Sequence, residues 1–192
     1  MRRILSVLVV LGLLALPLAW QVAGQTSVVS SQIQVRLDIT DSFLVGLSTV
    51  TARFQPDYTQ LLAHGTGANQ ATTLWQDDRT LGVSTSEDLD LNASLTDAFG
   101  NSVTCTKLKA LIVKADSANT NNVLVGGVNT TITSIFSDTT DQAIVRPGGL
   151  FLFTAPDSTG AALTAGSADV LTVGNSGGST AVDYDILVLC VE

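Results

Sequence analysis

Basic and aromatic residues are scarce in this chain. Of its 192 residues only 9 are Lys or Arg, against 17 Asp or Glu, so the formal net charge is −8. Nucleic-acid binding draws on clustered Lys and Arg that neutralise phosphates, and no such cluster is present, so no nucleic-acid partner is expected. One His and two Cys leave no Cys/His zinc set and little basis for a histidine-centred catalytic triad. Charged residues make up only 14% and hydrophobic ones 45%, which excludes a highly charged, intrinsically disordered chain. Aromatics reach only 5%, so a core has to be filled with Val, Leu, Ile and Ala. Past residue 24 no segment sustains a 3.6-residue apolar period, which disfavours βαβ units. The length suits one ordinary domain with a short appendage.

The appendage is N-terminal. Met1-Arg2-Arg3 is a positive start, and residues 4–20 then run without a charge, with Pro17 near the end to break a helix. Val22 and Gly24 stand at the −3 and −1 positions of a cut before Gln25, the layout of a secretory signal peptide. The rival readings are a retained membrane anchor, although the apolar run falls slightly short of the ~20 residues of a spanning helix, and a misplaced start. Cleavage between Gly24 and Gln25 leaves 7 − 17 = −10 charges. Membrane contact is expected only through residues 1–24, and only if they stay attached. Export also bears on Cys105 and Cys190. A bridge between them stabilises by about 4 to 5 kcal/mol through loop closure in the unfolded chain. The other reading is two buried thiols acting as small hydrophobes.

Residues 25–31 are small and polar and read as a linker. Beyond them Ile33, Val35, Leu37 and Ile39 alternate with Gln34, Arg36 and Asp38, the period of a strand with one wet face. Phe43, Val45, Leu47, Val50 and Phe54 continue the idiom. Around residues 56–69 the pattern fails; Leu61-Leu62-Ala63 suggests one helical turn, and His64 opens a Gly-rich loop. Short apolar runs then recur about every ten residues to the C-terminus, Ile132 to Phe136 among them. They are punctuated by turns such as Arg146-Pro147-Gly148-Gly149 and Gly174-Asn175-Ser176-Gly177-Gly178. The expectation is an all-β fold: a single antiparallel β-sandwich, jelly-roll-like, over residues 32–192, preceded by a hydrophobic leader helix. Val35, Leu37, Leu108, Ala110, Ile112, Leu150, Leu152, Ile186 and Val188 are expected inside. Lys107 and Lys109 alternate with Leu108 and Ala110, which places both lysines on the outer face of their strand.

Few residues invite chemistry. His64 is the one histidine, but no G-x-S-x-G elbow accompanies it. Asp77-Asp78, Glu87-Asp88 and Asp90 form an acidic stretch. Glycoside hydrolysis or calcium would each use such oxygens, yet no EF-hand or calcium repeat is present. Alternation makes Asp88 and Asp90 a wet face beside buried Leu89 and Leu91. Gly65-Thr66-Gly67 and Gly126-Gly127 lack the strand-to-helix setting and the Lys of a phosphate loop, so tight turns explain them. Trp75 is either a sugar platform or, more economically, a core residue. Asn92-Ala93-Ser94 and Asn129-Thr130-Thr131 match the glycosylation triplet, which matters only in a host with that machinery. No catalytic residue, cofactor or metal is expected, and the chain is read as a non-enzyme.

A longer pattern carries more. It runs through Gly65-Thr66-Gly67-Ala68-Asn69-Gln70-Ala71, Leu74-Trp75-Gln76-Asp77-Asp78-Arg79-Thr80-Leu81 and Glu87-Asp88-Leu89-Asp90-Leu91. It goes on through Leu95-Thr96-Asp97-Ala98-Phe99-Gly100-Asn101, Val145-Arg146-Pro147-Gly148-Gly149, Ala155-Pro156-Asp157 and Tyr184-Asp185-Ile186. In this order, over about residues 35–192, the stretches resemble a group of small proteins encoded by tailed phages and prophages among virion structural genes. The resemblance implies a virion component, a capsid decoration or tail-associated β-domain, with no catalytic residues to carry over. Its expected partners are further copies of itself, as a homo-oligomer such as a trimer, and neighbouring virion proteins. The leader and the cysteine pair depart from that pattern and agree with each other. They favour an alternative: an exported bacterial surface or filament subunit, or an adhesin-like binding module. The expected location is the virion or, with a working leader, the cell exterior.

Overall fold

Alternating Thr/Val-rich segments have two ways to hide their apolar face: against a second sheet, or against another molecule. This chain uses the first way from residue 70 onward. A computed structural model describes residues 28–45 and 48–192. The leader at 1–24, its cut between Gly24 and Gln25, and the first part of the linker 25–31 lie outside the described residues.

The strands are β1 (Ser31–Arg36), β2 (Ile39–Val45), β3 (Ser48–Phe54), β4 (Asp57–His64), β5 (Gln70–Ala71), β6 (Thr73–Leu81) and β7 (Ser86–Asp90). They continue as β8 (Lys107–Ala115), β9 (Val123–Gly126), β10 (Gln142–Val145), β11 (Leu150–Thr154), β12 (Ala161–Ala162), β13 (Val170–Asn175) and β14 (Val182–Val191). The described residues contain no helix, and the fold is all-β. One sheet runs β11-β8-β14-β6, with β12 added beside β8, and the other runs β10-β9-β13-β7. All pairings in both are antiparallel. The two sheets enclose one apolar core in a sandwich-like body. Leu111, Val113, Ile186 and Val188 come from the first, and Leu89, Val123, Leu171 and Val173 from the second. Cys105 and Cys190 are joined in a disulfide inside that core, with Cα atoms 5.6 Å apart. The bridge ties the last strand to the segment that leads into β8 and closes an 85-residue separation.

Residues 31–64 do something else. β1 pairs with β4, and β2 with β3, each antiparallel. Ser31 faces Leu62, Arg36 faces Asp57, Ile39 faces Phe54 and Val45 faces Ser48, so every pair sums to 93. The Leu37 amide donates to the Pro56 carbonyl at 3.1 Å and bridges the two halves. The whole is one long hairpin in a single register. Its base, with β5, forms a third layer over the outer face of the β11-β8-β14-β6 sheet, where Ile33, Leu62 and Ala71 pack on Ala110 and Leu189.

Several expectations are corrected. Residues 57–64 are strand: Leu62 points at the sheet and is buried, whereas Leu61 points away and is exposed, as adjacent strand positions must. Ile132 to Phe136 is a turn whose ends, Ile132 and Phe136, plug the core. Leu108, Ala110, Ile186 and Val188 are buried as expected, and Ile112 and Leu152 half-buried. Val35, Leu37 and Leu150 are exposed, because none of the described residues covers their faces. Lys109 lies on the outer face of its strand as expected, but it is buried there by the loops that carry Gly67 and Asp157 rather than solvated.

Candidate functional site

The outer face of the β11-β8-β14-β6 sheet carries side chains in rows fixed by the cross-strand register. Thr154, Ala110, Leu189 and Leu74 form the first row; Leu152, Ile112, Leu187 and Gln76 the second; Leu150, Lys114, Asp185 and Asp78 the third. The hairpin base covers Ala110 and Leu189 of the first row and leaves Leu74 exposed. Tyr58, on the inner side of β4, shares a hydroxyl hydrogen bond with Thr154 at 3.1 Å. The second row is left as the floor of an apolar groove of about 580 Å³, flanked by Val28 and Val29 and by the exposed Leu74 and Leu150. The third row ends the apolar surface in charge: the Lys114 ammonium donates to the Asp185 carboxylate at 2.9 Å, and that carboxylate holds the lysine's pKa above its ordinary value.

Phe99 stands at the rim of this groove and is 74% exposed. Its loop is held by one carboxylate. Asp97 Oδ1 accepts the Phe99 and Asn101 amides at 2.9 and 2.8 Å, and Oδ2 accepts the Asn101 side-chain amide at 3.1 Å. Hydrogen bonds from the Asn101 backbone, then its side chain, hold Asp97 below the usual carboxylate range. A rigid tip thus presents a bare phenyl ring to solvent.

The distal hairpin is the second component. Opposed residues share a face, so Ile39, Ala52, Val50 and Phe54 lie on one side of the β2–β3 ribbon together with one carboxylate, Asp41, and Thr40, Ser42, Thr51 and Arg53 lie on the other. The apolar side continues, in the same register, the face that buries Ile33 at the base. Along the way Val35 is 37%, Leu37 51%, Val50 59% and Phe54 65% exposed. The polar side is closed by an Arg53–Asp38 ion pair at 2.7 Å, and Arg53 holds the Asp38 carboxyl below its ordinary pKa. An isolated two-stranded ribbon is marginal in water at best, and this one also carries a wet apolar face.

Lys109 fastens the hairpin to the body. Leu189 faces Ala110 but Cys190 faces Leu108, so Lys109 is the extra residue of a β-bulge. The bulge turns Lys109 and Ala110 to the same outer face and returns Leu111, Val113 and Ala115 to the core beside Leu108. The buried ammonium donates to the Gly67 carbonyl at 3.2 Å and to the Asp157 carbonyl, joining the loop after β4 to the loop after β11. Burial lowers its pKa, partly countered by the Asp157 carboxylate. The sequence holds the signal for this bulge. Lys107 and Lys109 sit at odd positions and Lys114 at an even one, so the three share an outer face only if one residue is inserted between them.

The remaining sequence candidates are structural. His64 is exposed, and its Nδ1 accepts the Val29 amide at 3.4 Å. Trp75 is in the core, with the Arg79 guanidinium 5.6 Å from its ring. Glu87 turns inward with Leu89, pairs with Arg79 and accepts the Tyr184 hydroxyl at 2.6 Å. Burial, then the Glu87 carboxylate, pushes the Tyr184 phenol far up. Sequence reasoning listed Glu87 in the acidic stretch, named only Asp88 and Asp90 as its wet face, and did not draw from the parity of Glu87 with Leu89 and Leu91 that it turns inward. Asp88 faces outward and accepts Thr172 Oγ1 and Asn129 Nδ2. Asp90 accepts the Asn92 amide, and Asn92 Nδ2 is used on the Cys105 carbonyl. Gly65 and Gly67 wrap the Gln70 amide, and Gly126 turns at φ +99° where a Cβ would meet the Asp141 carbonyl at 2.6 Å. Among the described residues no three His, Cys, Asp or Glu side chains are grouped to hold a metal.

The geometry therefore defines an all-β, disulfide-tied body with an apolar arm and an apolar groove. Comparison with known proteins brings no relative to it: no family model, curated protein or solved structure matches the chain.

Proposed function

We propose that the protein is a non-enzymatic structural subunit of a phage particle, a capsid decoration or tail-associated domain that works by self-assembly. The observation that carries the assembly role is the exposed apolar face of the distal part of the hairpin, at Leu37, Ile39, Val50 and Phe54, which is poorly stable in water without a neighbour. The strand orders β6-β14-β8-β11 and β7-β13-β9-β10 support reading the body as a jelly roll, an architecture that viral capsid proteins share with lectins and cupins. The virion placement rests on the sequence resemblance over residues 35–192. Mass spectrometry of purified particles tests it. The protein is expected at a fixed copy ratio to the major capsid or tail protein, and its absence from intact particles ends the reading.

The Cys105–Cys190 bridge favours a second reading, an exported surface or filament subunit, because disulfides persist in oxidising compartments. Cell fractionation separates the two. Protein recovered from the envelope or from shed filaments, with none in particles, selects the second.

A further inference from the structure

The distal hairpin and the outer-face groove look like the two halves of one contact. The apolar side of the hairpin runs in a single register from base to tip, and its base half already rests on the outer face of the β11-β8-β14-β6 sheet. Among the described residues the distal half packs on no other element of its own chain. On the same sheet face, beside the base, the second row of aliphatic side chains lies open as the groove. Each surface lacks what the other offers, and the chain itself shows that this stripe fits this face.

We propose that the distal arm of one copy lies in the apolar groove of a second copy, so that each copy gives one arm and receives one. This rests on the reading of the protein as a self-assembling subunit and names the interface. The dimensions agree. β2 and β3 pair over seven residues each, a ribbon about 23 Å long at roughly 3.3 Å per residue. Four strands at about 4.8 Å spacing span roughly 15 Å, so one ribbon crosses the sheet. Val50 and Phe54 supply anchors on the arm, and Leu152, Ile112 and Leu187 the floor, with Leu150 on its flank and Phe99 at the rim. The contact is apolar while each copy carries a net charge of −8, so copies repel at distance and attract on contact. Added salt therefore tightens the association rather than loosening it. Giving and receiving surfaces differ, so the assembly closes as a reciprocal pair or a ring.

The test uses the full chain with its disulfide intact. Native mass spectrometry and light scattering are expected to give a closed multiple of the chain mass. Val50→Asp with Phe54→Asp alters only exposed arm positions, and Leu150→Asp only an exposed groove position, so the fold is kept, as circular dichroism checks. Each variant is expected to weaken association about a hundredfold, the scale of losing a buried apolar anchor. Mixing the two variants restores mixed complexes, because the intact groove of one receives the intact arm of the other. In a Val50→Cys, Leu150→Cys double variant oxidation is expected to link two chains. A monomeric wild-type protein, an assembly indifferent to both variants, or a cross-link within one chain overturns the proposal. An arm-dependent oligomer absent from particles sinks the virion reading and leaves this interface standing; a particle protein that assembles without its arm does the reverse.

Discussion

The body and the arm are built from the same material and end in opposite states. Both are antiparallel strands with an apolar side. In β8 and β14 that side meets a facing sheet, and Leu108, Leu111, Val113 and Val188 are fully buried. In β3 every residue is exposed. Two-residue periodicity therefore specifies an amphipathic surface and leaves open whether the chain, or a neighbour, supplies the cover. The body is finished by its own second sheet, and the proposed interface would finish the arm with a second copy.

The contrast breaks most sharply at the disulfide. Replacing Cys105 and Cys190 with Ser frees an 85-residue loop and is expected to cost the body about 4 to 5 kcal/mol, read as a lower denaturation midpoint. Next comes the core: Leu111→Ala is expected to cost about 3 kcal/mol, against a few tenths for Val50→Ala in the monomeric state. Equal losses at the two positions would show that the arm is packed within its own chain. Lys109→Met removes the bulge cation and leaves the Gly67 and Asp157 carbonyls without it, an expected cost of about 1 to 3 kcal/mol. The base of the hairpin should then become the first site of limited proteolysis, with the sandwich still intact.

Tyr184 offers a smaller, pH-dependent probe of the body. Its phenol stays protonated in the fold well above the pH at which the unfolded chain loses that proton. The folded pKa is raised, so this contribution is whole below pH ~10 and is lost as pH climbs further, by at most about 1.4 kcal/mol per unit. Tyr184→Phe should flatten that part of the alkaline stability profile relative to wild type. An unchanged profile difference would mean that Glu87 and the surrounding apolar groups do not act on the phenol. The smallest effect is expected at Arg53→Ala, which removes a solvated ion pair on the polar side of the arm and should leave the melting curve unmoved.

Much of the body was legible in the sequence, and the reasons for the rest are specific. The alternation in residues 182–191 and 107–115 gave strands, and the cysteine pair gave one of two open readings, which the geometry decides. Pro56 and the contiguous Leu61-Leu62-Ala63 concealed β4. A Pro at the joint of a hairpin and apolar residues on both faces of a strand erase the period-two signal locally. Alternation from Lys107 gave Lys109 its outer face but put Ala110 in the core, because the bulge breaks parity just after Lys109; the clue lay at Lys114, and the loops that bury Lys109 left no periodic signal. Of the candidate site, the amphipathic arm was visible as Ile33, Val35, Leu37 and Ile39. Its lack of cover was not, since exposure depends on which faces remain after the body has closed. For the same reason Leu150 and Leu152 were placed together inside, although both point away from the sandwich.

Hydrogen exchange on the assembled protein tests this division most directly. Wild type at the concentration where it assembles should show slow amides across β2 and β3 as well as in β8 and β14. Val50→Asp with Phe54→Asp should release β2 and β3 to fast exchange and leave β8 and β14 as they were. Fast exchange of β2 and β3 in the wild type, or protection that survives both substitutions, would contradict an arm completed by a second copy.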